Sequence, residues 1–196
     1  MRGLYRTGLI GAFVLQVALL GYMIADRAML LTNGKEIRLA VIPVDPRDMV
    51  RGDYVTLSYD ISRIHSGRVL GDGLFVSGQT VFVTLEEDAA GAWKAVAMHE
   101  RAPASGTYLR GVVERWASVT AEPGDDCSDT HDTCSAYDIA YNIEQFFVPE
   151  GTGREIEAMR NDQRVAVDVA VAGDGRAALK RLLIDGKVTY DEPLFW

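Results

Sequence analysis

The chain has 196 residues, of which 48% are hydrophobic, and its formal net charge at pH 7 is −8. All 28 Asp and Glu residues follow Ala25, so the chain beyond that residue is strongly acidic. Because nucleic acids and anionic lipid headgroups require a clustered basic face, this composition argues against both as partners. The length that remains after Ala25 suits a single domain with an ordinary hydrophobic core.

The first predicted element is a membrane-spanning helix over residues 7–25. This stretch, TGLIGAFVLQVALLGYMIA, contains no charged residue, and Gln16 is its one strongly polar side chain. At ~1.5 Å per residue the helix would cover roughly 28 Å, close to the thickness of the hydrocarbon core of a bilayer. The predicted organisation is therefore a cytoplasmic tail (1–6), the helix (7–25), a tether (26–36) and one β-rich domain (37–196).

The charges that flank this helix predict its orientation. Arg2, Arg6 and the free amino terminus precede it, whereas Arg27 is the only basic residue that closely follows it, beside Asp26. Positive charge favours the cytoplasmic side, so the domain is predicted to be extracytoplasmic. A cleaved signal peptide is the alternative, but Met23 or Asp26 would occupy a position where cleavage needs a small residue. An uncleaved signal anchor is therefore favoured.

Beyond the anchor, the predicted elements are almost all β-strands. Alternating apolar residues, bounded by turn signals, predict strands over residues 37–42, 54–61, 80–85, 93–99, 108–119 and 137–148. A closing meander of three strands begins at Arg164, and tight turns join its members. One short helix is predicted over 154–160, where good helix formers are concentrated. These elements predict a mainly β domain, an antiparallel sandwich or barrel.

Two cysteines, Cys127 and Cys134, flank an acidic loop that contains His131. In an extracytoplasmic domain a disulfide is the expected state of such a pair, and it would add roughly 2.5 kcal/mol by closing the loop. A metal site formed by the two thiolates and His131 is the alternative. Structural zinc sites usually have four ligands, so the disulfide is favoured, and no metal or cofactor is predicted.

The most specific stretch of the sequence is PVDPRDMVRGDYVTLSY, which begins at Pro43. Its two prolines predict a stiff loop, and a strand follows. In that strand, alternation places Val55, Leu57 and Tyr59 on one face, together with Asp53, and this face is predicted to point inward. The candidate binding or structural residues are Asp45, Arg47, Asp48, Arg51, Gly52, Asp53, Tyr54, Leu57 and Tyr59.

The charged residues of this loop allow two interpretations. In one, the carboxylates and guanidinium groups converge on a polar binding site. In the other, Arg and carboxylate side chains pair, and Asp side chains cap a tight loop by accepting backbone hydrogen bonds. The structural interpretation is favoured, because Asp residues that cap loops are common.

The stretch also resembles the signature of a protein family. Gly52, Asp53, Tyr54, Leu57 and Tyr59 match the pattern of the GDYXXLXY family of bacterial membrane-anchored proteins. Residues 141–155 and 175–186 are similar to later blocks of that family. The resemblance implies an inner-membrane anchor, an exported periplasmic β-rich domain without an established activity, and association with an integral membrane protein.

Two classes of function remain after these observations. The favoured one is a non-enzymatic accessory or binding module that acts with an integral membrane partner. The alternative is a membrane-tethered hydrolase of signal-peptidase-like plan, which needs a Ser and a Lys in contact. No Ser precedes Ser58, and the four lysines are Lys35, Lys94, Lys180 and Lys187. None of His65, His99 and His131 lies in a recognisable motif, so no catalytic residue is predicted.

Overall fold

The computed structural model describes residues 2–42, 54–71, 73–89, 91–120, 133–147 and 165–191. Within these ranges one α-helix, α1 (Arg2–Asn33), is followed by thirteen strands. The strands are β1 (Lys35–Ile42), β2 (Tyr54–Thr56), β3 (Ser58–Tyr59), β4 (Arg63–His65), β5 (Leu70–Gly71), β6 (Thr80–Glu87), β7 (Trp93–His99), β8 (Thr107–Thr120), β9 (Thr133–Ala140), β10 (Gln145–Phe147), β11 (Val165–Val171), β12 (Ala177–Ile184) and β13 (Lys187–Asp191).

Helix α1 contains the predicted membrane-spanning segment and extends beyond it. By length and composition, the helix is able to cross a membrane over Gly8–Asn33. Its apolar side chains, from Leu9 to Ile24, are exposed. The prediction that residues 26–36 form a tether is wrong in conformation, because this segment is helical to Asn33 and β1 starts at Lys35. Ala, Met and Leu favour continuation of the helix, and burial of its last turns stabilises it further.

A single residue, Gly34, joins α1 to β1. The Gly34 N–H donates to the carbonyl of Leu30 at 2.9 Å, which ends the helix. A Cβ atom at Gly34 would lie 2.5 Å from that same oxygen, so a larger residue would force the junction apart. The side chains of Leu30 and Leu31 form a small buried cluster with Ala170 and Ala178. The end of α1 is thus packed on the β domain.

The strands form two main sheets and one small one. The five-stranded sheet has the order β13-β12-β11-β1-β3, the six-stranded sheet has the order β4-β9-β8-β6-β7-β5, and β10 pairs with β2. All pairs are antiparallel except β5 with β7. Buried residues of both large sheets belong to one hydrophobic core. The prediction of a mainly β antiparallel domain is confirmed, and its architecture is that of a sandwich.

Alternation explains which residues enter this core. In β1 the side chains of Ile37, Leu39 and Val41 are buried, and in β6 Val81 and Val83 follow the same pattern. The predicted hairpin of β6 with β7 and the closing meander β11-β12-β13 are both present. These parts of the fold follow directly from a period of two residues in the sequence.

Two predicted strands are each divided in the structure. The strand predicted over 54–61 becomes β2 and β3, followed by a 3-10 turn at Asp60–Ser62. The strand predicted over 137–148 becomes β9 and β10, with an irregular turn between them. The reason is a change of partner, because β2 pairs with β10 whereas β3 pairs with β1. The short helix predicted over 154–160 lies outside the described residues.

Candidate functional site

The structure describes only the last part of the candidate motif. Six of the nine motif residues lie outside the described part of the chain, so both interpretations of the charged loop stay predictions. They are Asp45, Arg47, Asp48, Arg51, Gly52 and Asp53. Tyr54 begins β2, and the side chains of Leu57 and Tyr59 are fully buried, as the predicted inward face requires.

Leu57 and Tyr59 attach the motif to the turn before β10. The backbone N–H of Leu57 donates to the carbonyl of Glu144 at 2.7 Å. The hydroxyl of Tyr59 donates to the carbonyl of Ile143 at 2.5 Å. These two bonds satisfy consecutive carbonyl groups of a turn that has no strand partner of its own. The motif therefore fixes a segment that lies more than eighty residues away in the chain.

A second tyrosine completes this arrangement from the opposite side. The hydroxyl of Tyr141 donates to the carbonyl of Ile61 at 2.8 Å. Each member of the tyrosine pair, Tyr59 and Tyr141, thus binds the carbonyl group two residues beyond the other. Burial raises the pKa of both hydroxyls well above the usual 10, and the charge of Glu144 raises it further. The two phenols are therefore neutral hydrogen-bond donors at physiological pH.

The turn that the tyrosine pair holds has a strained residue and an internal cap. Asn142 has a φ of 65°, in the left-handed region, and its side chain is exposed. The carboxylate of Glu144 accepts hydrogen bonds from the backbone N–H of Tyr141 at 2.5 Å and of Ile143 at 3.0 Å. This cap holds Asn142 at the surface, where it borders two cavities.

The first of these cavities, the proximal cavity, lies beside the end of α1 and has a volume of about 620 Å³. Helix α1 contributes Asp26, Arg27 and Leu30, and the sheets contribute Arg110 and Arg176 among others. The exposed side chain of Val112 and the residues Gly111, Ala140 and Ala177 add an apolar part to the lining. The proximal cavity is therefore mixed in character and adjoins the predicted membrane surface.

The second, distal cavity has a volume of about 930 Å³ and extends from the first toward β4. The two cavities adjoin, since four residues line both: Arg27, Glu114, Ala140 and Asn142. Farther from α1 the lining includes Arg63, Arg115 and Asp138. Arg115 donates to Asp138 at 2.6 and 2.9 Å, and Arg63 lies 3.8 Å from the same carboxylate. Charge in this outer part is thus largely balanced by pairing.

Three charged residues attach α1 to the sheet, and we name them the helix clamp: Asp26, Asp174 and Arg176. Arg176 donates to Asp26 at 2.5 and 3.1 Å and to Asp174 at 2.7 Å. The hydrogen bond from Arg176 lowers the pKa of Asp26, and the bond to Asp26 raises the pKa of Arg176. The clamp therefore consists of fully ionised groups at neutral pH.

The turn that contains the clamp arginine is itself held by β8. The hydroxyl of Tyr108 donates to the carbonyl of Gly173 at 2.7 Å, and the backbone N–H of Arg110 donates to Gly175 at 2.8 Å. Gly175 has a φ of +82°, and a Cβ atom there would meet the ring of Tyr108 at 2.8 Å. Both sheets therefore contribute to the position of the helix end.

A buried acid, Asp168, lies outside the predicted site residues. It is 6% exposed and accepts hydrogen bonds from Arg38 at 2.8 and 3.3 Å. Arg181 Nε lies 3.3 Å from it, an ion-pair contact without hydrogen-bond alignment. Glu36 joins the group through Lys180 and Arg181. These residues are cross-strand neighbours on β1, β11 and β12, so the network stabilises the five-stranded sheet.

Other predicted site residues are distributed over the fold. Cys134 lies buried in β9, whereas Cys127 and His131 lie outside the described residues, so the disulfide stays a prediction. His65 is in β4 and His99 is in β7. Across the described ranges, no group of three or more His, Cys, Asp and Glu residues is arranged to hold a metal ion.

The serine and lysines of the hydrolase alternative do not meet in the described structure. Ser58 is in β3 and borders the distal cavity. Lys35 donates to Thr107 and lies over the ring of Trp93. The remaining ion pairs of lysine are those of Lys94 with Asp88 and of Lys180 with Glu36 in this part of the chain.

Fold and site together define a class: a β-sandwich protein whose N-terminal helix has the length and composition of a membrane anchor. The family described as GDYXXLXY protein matches residues 16–182, and the chain belongs to this family. The match covers most of the anchor, the motif and nearly all of the sandwich. No curated protein and no solved structure matched the chain.

Proposed function

We propose that this protein is a membrane-anchored, extracytoplasmic, non-enzymatic accessory or binding module that acts with an integral membrane protein. The observation that carries the proposal is the continuity of α1 with the β domain. Gly34 is the only residue between helix and strand, and Asp26 is bound to the sheet through Arg176. Such a joint keeps the domain at the membrane in one orientation, which an accessory subunit needs and a freely diffusing enzyme does not.

The geometry of the joint supports a short distance between domain and membrane. The apolar stretch ends at Ala25, and the helix continues for only eight residues to Asn33, ~12 Å along its axis. Leu30 and Leu31 are already packed against the sandwich within this distance. The proximal cavity therefore opens at the level of the membrane surface, where the extramembrane loops of an integral partner are accessible.

The two cavities offer a surface of suitable chemistry for such loops. Their lining combines paired charges, exposed polar side chains and small apolar areas, as is usual for interfaces between soluble surfaces. Val112 and Trp116 of β8 are large hydrophobic residues that remain exposed on this side of the molecule. An aromatic residue next to a polar groove is a typical anchor of a protein interface.

The proposed location follows from the flanking charges. The N-terminus is cytoplasmic, with Arg2 and Arg6 before the span, and the β domain is periplasmic at the inner membrane of a bacterium. In this oxidising compartment Cys127 and Cys134 form a disulfide. Reaction of the exported domain with a thiol reagent that does not cross membranes, before and after reduction, tests both statements.

Photo-crosslinking in native membranes tests the partner. A photoreactive phenylalanine analogue at Trp116, beside the distal cavity, should crosslink the full-length protein to an integral membrane protein. The matched control is the same analogue at Val188, which is also 52% exposed but lies in β13 at the edge of the other sheet. Recovery of uncrosslinked monomer alone from Trp116, or equal crosslinking from both positions, would contradict the proposal.

A further inference from the structure

Two arginines in the proximal cavity are unlike the others around it. Arg27 and Arg110 make no side-chain hydrogen bond or ion pair with another described residue, although both line the same cavity. By contrast, Arg176 binds Asp26 and Asp174, and Arg115 binds Asp138. Guanidinium groups match phosphate oxygens with two parallel hydrogen bonds, so two unpaired arginines in one cavity indicate a phosphate-bearing ligand.

The height of this cavity above the bilayer indicates the source of the phosphate. Arg27 follows Ala25, the last apolar residue of the span, by two positions. The headgroup layer of a bilayer is about 5 to 8 Å thick on each side, which corresponds to about four or five residues of helix. The segment Asp26 to Leu30, which forms the helix side of the cavity, therefore lies at headgroup depth.

The third charged group of the cavity specifies the kind of headgroup. Glu114 is exposed, lines both cavities and has no ion pair with a described residue. A carboxylate beside two arginines disfavours a ligand that carries negative charge alone. It favours a ligand in which a cation accompanies the phosphate, and a protonated primary amine has three N–H donors for a carboxylate.

We propose that the proximal cavity binds the headgroup of a phospholipid that carries a phosphate and a protonated primary amine. Arg27 and Arg110 bind the phosphate, and Glu114 binds the ammonium group. Leu30 and the exposed side chain of Val112 contact the glycerol and the first methylene groups. A headgroup without net charge agrees with the acidic composition of the domain, which disfavours anionic lipids.

Lipid retention by the full-length protein tests this proposal. The protein is reconstituted in nanodiscs of phosphatidylethanolamine, phosphatidylcholine and phosphatidylglycerol in equal amounts, extracted with mild detergent, and its retained lipids are measured by native mass spectrometry. Phosphatidylethanolamine should be enriched roughly tenfold over phosphatidylcholine, since only its ammonium donates hydrogen bonds to Glu114.

Three variants separate the two halves of the headgroup. The Arg27→Gln, Arg110→Gln double variant should lose retention of all phospholipids, whereas Glu114→Gln should retain phosphatidylethanolamine and phosphatidylcholine about equally. Arg101→Gln is the matched control, because Arg101 is exposed in the loop after β7 and does not line the cavity. All four side chains are exposed, so thermal unfolding should be unchanged in each variant.

The alternatives have distinct results. Preference for phosphatidylglycerol, equal retention of the three lipids by the wild type, or an equal loss in Arg101→Gln would overturn the proposal. Displacement of retained lipid by millimolar inorganic phosphate, with no effect of phosphoethanolamine beyond it, would assign the site to free phosphate and also overturn it. The inference depends on the proposed membrane anchoring but not on the protein partner. Loss of the Trp116 crosslink with intact lipid retention would therefore contradict the proposed function alone.

Discussion

The motif and the end of α1 use opposite means to hold distant parts of the chain together. At the motif, the tyrosine pair is buried and neutral, and its hydroxyls bind backbone carbonyls. At the end of α1, the helix clamp is exposed and ionised, and only a few small apolar contacts support it. The comparison indicates that the described motif residues maintain the fold, whereas the surface available for binding consists of residues outside the motif.

The buried side of this comparison predicts the largest loss of stability. Leu57→Ala removes a side chain that is 1% exposed and leaves a cavity in the core, so it should lower the free energy of unfolding by about 3 kcal/mol. Leu74→Ala, at a side chain that is 81% exposed, is the matched control and should change it by less than ~0.5 kcal/mol. Denaturant titration of the full-length protein in detergent measures both, and equal effects would place Leu57 outside the core.

The buried acid is expected to matter almost as much. Asp168→Ala removes the partner of Arg38 and of the inner end of Arg181, so it should cost about 2 kcal/mol. The estimate stays below that for a fully buried pair because Arg38 is 51% exposed. The same titration applied to Glu86→Ala, at an exposed acid on β6, should show no measurable change. A stability of Asp168→Ala equal to that of Glu86→Ala would show that the network contributes nothing.

The tyrosine pair predicts a smaller effect with a characteristic pH dependence. Tyr59→Phe and Tyr141→Phe each leave one buried carbonyl without a donor and should cost about 1 to 2 kcal/mol. Because the folded pKa of each hydroxyl lies above the unfolded value of 10, the stabilisation is complete below pH 10 and is lost as pH rises beyond it.

Alkaline unfolding with phenolate absorbance as the readout checks the pH dependence. The slope of stability above pH 10 should decrease by about one proton in either variant. Tyr108→Phe is the control, because its hydroxyl is bound to Gly173 at an exposed site. If Tyr108→Phe changed the slope as much as Tyr59→Phe does, burial of the pair would not be the cause.

The exposed side of the comparison predicts the smallest effect. Asp26→Asn removes the charge that Arg176 binds and should loosen the end of α1 without a measurable loss of global stability. The folded pKa of Asp26 is lowered from 3.8, so the contribution of the clamp is present above that pH and is lost as pH falls through the folded value.

Amide hydrogen exchange checks the clamp at residue level. Peptides that cover residues 26–34 should exchange faster in Asp26→Asn at pH 6, and the wild type should approach the variant only below pH 3.8, after correction for intrinsic rates. Asp60→Asn, at an exposed acid distant from α1, is the control. Unchanged exchange in Asp26→Asn would remove the clamp from the joint.

Periodicity in the sequence was sufficient for most strands and for the inward face of the motif. Leu57 and Tyr59 are buried because alternate residues of a strand point to the same side, a property of the local sequence. The division of that strand was not predictable, since it depends on Glu144 and Ile143, which approach Leu57 and Tyr59 only in the folded chain. Local patterns contain no information on such a change of partner.

The end of α1 illustrates the same limit. Hydropathy ends the predicted span at Ala25, which is correct for the apolar stretch but not for the helix. The extra turns are stabilised by Ala170 and Ala178, whose small side chains allow Leu30 and Leu31 to approach the sheet. The proximal cavity depends on the same contacts, and the signal available in the sequence was Arg27 with Asp26 directly after the apolar stretch. Asp168 had a weaker signal, as the single acid within a run of Val and Ala.

The one-residue joint at Gly34 makes the angular position of the domain a property of the helix. Each residue of an α-helix turns its axis by about 100°, so one extra residue within the apolar stretch would turn the lipid-facing side of α1 by that angle relative to the proximal cavity. A flexible linker would absorb the change, but Gly34 has no room to do so. The number of residues between a contact inside the bilayer and Gly34 therefore determines the compass direction in which the sandwich faces its neighbours.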